Sequence, residues 1–161
     1  MINLSEASAI ADATLDEGRR LNLAPLAVAV LDAGGNLVVF KREDGAGIAR
    51  YDIAYAKAWG SLGMGFGSRE LTERAAKNPT FISVLSTLTG GRMAPSPGGL
   101  LIFNADRRLV GAVGVSGDLG DNDEICAIVG VSGLGCGLRQ CSVGIVRHGR
   151  EFRIGPHAGT K

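Results

Sequence analysis

The sequence predicts an α+β domain, a three-layer sandwich in which a central, mainly antiparallel sheet carries helices on both faces. Two observations carry this expectation. Apolar segments flank a turn-forming cluster twice, at residues 32–36 and 104–107, which marks two hairpins rather than alternating strand–helix–strand units. The strands of both hairpins are apolar throughout, so neither face of the sheet is built for water and each needs a cover.

The elements follow in order. A first helix is expected over 5–21, with Ser5 as its N-cap. Ala7, Ile10, Ala11, Thr14, Leu15, Gly18 and Leu21 keep the three-and-four spacing of one buried face. Residues 26–31 form a strand, Asp32 to Asn36 turn the chain, and 37–40 return. Residues 43–47 read as a loop. A helix over 49–59 turns Ile53, Ala56 and Trp59 inward. Gly60, Gly63, Gly65 and Gly67 then predict an irregular connection. Ser68 caps a further helix that Asn78-Pro79 ends, and 80–88 is a short apolar helix. A loop over 90–99 leads into the second hairpin, 100–103 and 109–115. The last long helix is expected over 122–138. Residues 142–147 have strand character, and His148-Gly149-Arg150 turns them back onto 151–154.

Composition bounds the function. The 161 residues suit one domain, 1–161, with a C-terminal extension from about 139. A net charge of +1 provides no global field for nucleic acid or an anionic membrane, so neither is expected as a partner. No segment reaches the ~20 apolar residues of a transmembrane helix, and the first ten residues lack the pattern of a signal peptide. The expected location is therefore cytoplasmic. Cys126, Cys136 and Cys141 are read as reduced, structural thiols, and no metal site is expected. The 25 glycines and few aromatics let backbones approach closely but bury little area, which predicts a homo-oligomer.

Chemistry concentrates where the strand 109–115 meets the last helix. Ser116-Gly117 ends an apolar run, and Asp118, Asp121, Asp123 and Glu124 follow within seven residues. A strand-to-helix junction gathers free backbone N–H groups and carboxylates. The structural alternative is that Asp121 caps the helix and Glu124 completes a capping box. Lys57, flanked by alanines, is a candidate cation or proton donor, the alternative being a lysine that extends its head to water. Arg92 precedes Pro95-Ser96-Pro97-Gly98-Gly99, a segment whose backbone N–H groups suit an anion. The expected pocket brings Pro97, Gly98 and Gly99 against Ser116, Gly117 and Asp118, with Arg92 and Lys57 projecting into it. Asp52 is a further ligand-binding or basic candidate. The spaced glycines at 63–67 and 133–137 match neither a dinucleotide fingerprint nor a phosphate loop. His148 and His157 both lie in the C-terminal tail, so a nucleophilic triad would need that tail to fold back.

Four segments carry a family resemblance. PLAVAVLDAGGNLVVFKREDGA (25–46), DIAYAKA (52–58), PGGL (97–100) and GAVGVSG (111–117) resemble, in order and spacing, motifs of the GlcG/HbpS family of haem-binding-related proteins, which also resembles the C-terminal domain of certain cobalamin adenosyltransferases. The resemblance covers about residues 4–137. It implies a profilin-like sheet with helices on both faces and a symmetric oligomer, often an octamer. Haem is the implied cofactor, and some relatives are encoded beside catabolic pathways. The first helix here has no histidine, so haem would need another ligand: His157, Lys57, a tyrosine or an oxygen group. Two functions follow as expectations. One is an oligomeric protein binding a small anionic or planar ligand through Asp52, Arg92, Gly98, Gly99, Ser116 and Gly117. The other is a cofactor-independent isomerase, tautomerase or lyase for a small carboxylated metabolite, using Lys57, Asp118 or Glu124 to move the proton.

Overall fold

The computed structural model describes residues 1–133, together with the strand backbones at 141–142, 145–147 and 150–152. The element order is α1 (Leu4–Arg20), β1 (Ala27–Asp32), β2 (Leu37–Arg42), α2 (Arg50–Met64), α3 (Ser68–Lys77), α4 (Pro79–Leu88), β3 (Gly99–Asn104), β4 (Leu109–Ser116) and α5 (Gly120–Gly133). Short strands β5 (Cys141–Ser142), β6 (Ile145–Arg147) and β7 (Arg150–Phe152) follow.

The strand order β2-β1-β4-β3-β5 joins the two hairpins through β1 and β4. That central pair is antiparallel and in register from Ala27 opposite Ser116 to Asp32 opposite Gly111. β5 pairs with the β3 edge at Phe103 and Asn104, and β6 pairs with β7. This is the expected antiparallel sheet, and it is covered on both sides. Alternation along the strands sorts the side chains. Val28, Val30, Leu100, Ile102, Val113 and Val115 face α1 and α5, meeting Ala7, Ile10, Ala11, Cys126, Ala127 and Val131. Leu31, Leu101 and Ala112 face α2, meeting Ala58, Tyr55, Trp59 and Leu62. Leu71, Ile82 and Met93 form a smaller cluster under α3 and α4.

Several boundaries differ from the sequence expectation, each for a local reason. Asn3, not Ser5, caps α1. Its side chain accepts from Glu6 N (2.9 Å), and Glu6 accepts from Asn3 N (3.0 Å). Ser5 has Ser8 three residues on and cannot form this reciprocal pair. α2 runs on through Gly60 and Gly63 to end at Gly65, whose φ is +76°. A helical glycine costs ~1 kcal/mol relative to alanine, but Gly60 lies against Leu71 and Met93, where packing outweighs propensity. Gly67 rather than Ser68 is the N-cap of α3. Ser68 instead accepts from Gly99 N at 2.7 Å, tying α3 to the start of β3. Asn78 ends α3 and caps α4 through Phe81 N (3.1 Å).

The sheet and α2 approach at backbone distance. A Cβ on Gly114 would lie 1.9 Å from Ala54 O, and one on Gly99 would lie 2.3 Å from Lys57 O. Backbone atoms cannot yield as a flexible side chain does. Gly114→Ala should therefore destabilise the protein by about 3 kcal/mol, the upper part of the overpacking range. A fall in urea midpoint at unchanged slope checks this. A neutral substitution would mean that α2 does not pack this closely.

Candidate functional site

The junction of β4 and α5 is built around one buried ion pair. Lys57, on the sheet-facing side of α2, donates to Asp123 Oδ2 (2.7 Å) and to Val115 O (2.8 Å). The two side chains are 2% and 1% exposed. The other carboxylate oxygen of Asp123 accepts from Asp118 N at 3.1 Å. The pair thus fastens the middle of α2, the end of β4 and the first turn of α5. Burial pushes the Lys57 ammonium down and the Asp123 carboxyl up, against their mutual attraction.

The two glycine-containing loops meet here, as expected. Gly98 O accepts from Val115 N at 3.0 Å. Gly98, at φ +118°, has no room for a side chain. A Cβ there would lie 2.9 Å from Asp123 Cβ and 3.1 Å from Lys57 Nζ. Gly117 is pressed against Pro25 and Leu26, with its Cβ position 2.4 Å from Pro25 O. Gly98, Gly99, Ser116 and Gly117 are therefore filled contacts, and Lys57 is sealed beneath them rather than projecting into a cleft.

The rim is polar. Ser116 is fully buried, and its Oγ accepts from Arg50 Nη1 at 3.2 Å. Asp118 accepts from Asn122 Nδ2 (2.7 Å), Ala24 N (2.9 Å) and Leu119 N (2.8 Å), joining α5 to the approach to β1. The Asn122 amide, followed by these backbone N–H groups, holds the Asp118 carboxyl below its ordinary range. Asp121 and Glu124 are not a cap and a capping-box acid. Both pair with Arg69 of α3, Glu124 at 2.7 Å to Nε, because α3 brings its guanidinium across the first turn of α5. Asp52 is exposed in the first turn of α2.

Arg92 does not join this group. It stacks on Trp59, 4.4 Å from the ring centroid, and its Nε donates to Thr89 O at 2.8 Å. The loop 90–99 is long enough for its two ends to serve different places. Met93 is anchored in the α2–α4 cluster, while Gly98 and Gly99 enter the sheet. Cys126 is fully buried, and desolvation pushes its thiol up to about 11, as a structural cysteine requires. Cys136, His148 and His157 lie outside the described residues. Among the described residues, no three His, Cys, Asp or Glu groups could hold a metal together.

Sequence reasoning singled out Lys57 but not Asp123 as its partner. The signal was present: Asp123 shares a helical face with Cys126, Ala127 and Gly130, all buried, and is the one acid of the cluster in that phase. Arg50, Ser68 and Arg69 had no comparable signal, since their partners lie 66, 31 and 52–55 residues away.

Two outcomes test this geometry. Lys57→Met leaves Asp123 buried without its partner and should cost on the order of 3–5 kcal/mol. The double variant Lys57→Met/Asp123→Leu should recover most of that loss. Urea unfolding of the three proteins measures the coupling. The second outcome concerns pH. Asp118 has a folded-state pKa below its unfolded value, so its contribution is complete above the ordinary carboxylate range and is lost as pH falls through the depressed value. Asp118→Asn should flatten the acid limb of a stability–pH curve and leave its slope near neutrality unchanged.

Comparison with known proteins agrees with this architecture. The family model described as "Haem degrading protein HbpS-like" matches residues 2–132. A 15.0 kDa protein from the dhaT–dhaS intergenic region of Citrobacter freundii is 29% identical over 126 residues, covering 78% of this chain and 87% of that one. The solved structure of a doubly substituted HbpS from Streptomyces reticuli is 32% identical, covers 83% of this chain and 87% of its own, and superposes with a TM-score of 0.72. A solved PduOC–haem complex superposes at 0.73 over 81% of this chain and 93% of its own. Its 22% identity speaks for the fold alone. With the match extending from the start of α1 almost to the end of α5, and with the four sequence motifs placed in the sheet and around its central ion pair, the chain belongs to the HbpS-like family.

Proposed function

We propose that this protein binds haem as a homo-oligomer, at the surface formed by the first turn of α2. The observation that carries the haem reading is the HbpS-like family match over residues 2–132. The PduOC relative solved as a haem complex adds fold-level support. Haem, when bound, would supply a planar apolar macrocycle, two propionates and an iron that accepts a donor atom from the protein.

The donor set of α2 fits such a group. Among the described residues there is no histidine, and Lys57 is committed to Asp123. Tyr51 is 37% exposed, lies edge-on to Phe40 at 4.9 Å, and has no hydrogen-bond partner among the described residues, so its phenol oxygen would be the group that holds the iron. Arg50, beside it, carries the charge that suits a propionate. Ile48, 91% exposed, adds apolar surface. Oligomerisation draws support from Phe81, Val84 and Leu88, which leave one side of α4 exposed and apolar. The isomerase, tautomerase or lyase reading needs Lys57, Asp118 or Glu124 at a substrate. Lys57 is sealed, and both acids are already bonded, which favours ligand binding.

Titration of the purified protein with haemin should give a saturable Soret shift. Tyr51→Phe should abolish the high-energy charge-transfer signature of a phenolate ligand, and Arg50→Gln should weaken binding. Native mass spectrometry of the same sample should report several copies of the chain with haem retained. An unshifted Soret band overturns the haem proposal. A spectrum unchanged by Tyr51→Phe but lost in His157→Ala moves the axial donor to the tail. A stable monomer overturns the oligomer.

A further inference from the structure

A second surface, at the β1–β2 turn, has the features of a ligand site. Ala33, Gly34 and Gly35 on one side, and Trp59, Leu62 and Gly63 of α2 on the other, line a shallow open groove. The indole is framed by glycines. A Cβ on Gly35 would lie 3.0 Å from Trp59 Nε1, and one on Gly63 would lie 3.2 Å from Cζ3, so side chains at either position would press on the ring. Trp59 and Leu62 give the groove its apolar surface, and two sets of unused donors lie at the indole. Trp59 Nε1–H has no acceptor among the described residues. Arg92 uses only Nε, toward Thr89 O, leaving its four terminal N–H bonds without an acceptor there. Its guanidinium is nevertheless held in place by stacking on the indole at 4.4 Å.

Among the described residues, no carboxylate pairs with Arg92. The acid of the adjoining turn, Asp32, is bonded within that turn: it accepts from Gly34 N, Asn36 N and the Asn36 amide. Those bonds hold its carboxyl below the ordinary range, with the Asn36 backbone N–H as the largest cause. The turn is therefore braced by its own acid, whose oxygens are engaged by Gly34 and Asn36.

We propose that this groove binds a small planar carboxylate, its flat apolar part against Trp59 and Leu62 and its oxygens taken by Arg92 and the indole N–H. Charge complementarity selects an anion, the planar donor fork of arginine selects a carboxylate, and the apolar floor selects a conjugated or aromatic body. The site lies on the flank of α2 that meets the hairpin turn, apart from the Arg50–Ser116 rim, and does not rest on the haem reading.

Trp59 is the single tryptophan of the chain, so its indole N–H gives one assignable signal in a proton–nitrogen correlation spectrum. Titration of the full-length protein with benzoate should move that signal saturably, with parallel quenching of fluorescence. Benzamide, equally flat but neutral, and inorganic phosphate, charged but without a flat body, should each bind at least about tenfold more weakly. Arg92→Gln, an exposed substitution expected to keep the melting temperature, should weaken benzoate by about tenfold, and Arg92→Lys should not restore it. A shift that never saturates, an equal response to benzamide or phosphate, or undiminished affinity in Arg92→Gln would each overturn the proposal. The Soret titration reads the other surface, so the two assignments fail separately.

Discussion

Lys57 and Asp123 form the interaction on which the centre of the molecule depends. An isolated ammonium or carboxylate so deeply buried would be very unfavourable, and their attraction approximately offsets that desolvation rather than adding a large surplus. The consequence is specificity. Lys57 reaches Val115 O as well as Asp123, and Asp123 reaches Asp118 N, so one pair sets the middle of α2, the last residues of β4 and the first turn of α5 relative to one another. A slip of β4 by one residue would turn Val115 to the wrong face and remove the carbonyl that Lys57 needs.

The glycines make that arrangement sterically admissible. α2 crosses β4 and β3 so closely that Gly114 and Gly99 meet helix backbone, and Gly98 lies directly over the ion pair. Small residues in these strands are thus a condition of the layer spacing. The same closeness explains why the junction of loops 97–99 and 116–118 is solid. A strand-to-helix junction rich in glycine and acids has the composition of an anion site, but here its N–H groups and carboxylates satisfy one another.

Both proposed ligand surfaces consequently lie on the exposed parts of α2. This helix presents Lys57 and Ser61 to the interior, Arg50 and Tyr51 at its first turn, and Trp59 and Leu62 toward the hairpin turn. The outer surfaces of α4 and α5 remain apolar, with Phe81, Val84, Leu88, Ile125 and Val129 all at least 36% exposed. Such surfaces suit assembly better than solvent. The helix that anchors the core therefore also carries both proposed ligand surfaces.

Local pattern determined the architecture. Two apolar hairpins, the three-and-four spacing from Ala7 to Gly18, and Asn78-Pro79 are short-range signals, and they specify an antiparallel sheet under two helical layers because each apolar face has to be covered. The family was legible in four short motifs for the same reason: they are the places where backbones touch. Tertiary structure alone decided the partners. Helical phase separates Asp123 from Asp118, Asp121 and Glu124, but Lys57 and Asp123 stand 66 residues apart, so their pairing is decided only when both helices are laid on the sheet. Arg92 was drawn toward the glycine loop by its nearness in sequence, but the fold sends it to Trp59, because Met93 inserts into a different cluster and divides the loop. Sequence separation carries no distance once a chain is packed, whereas periodicity survives packing because each element's geometry imposes it.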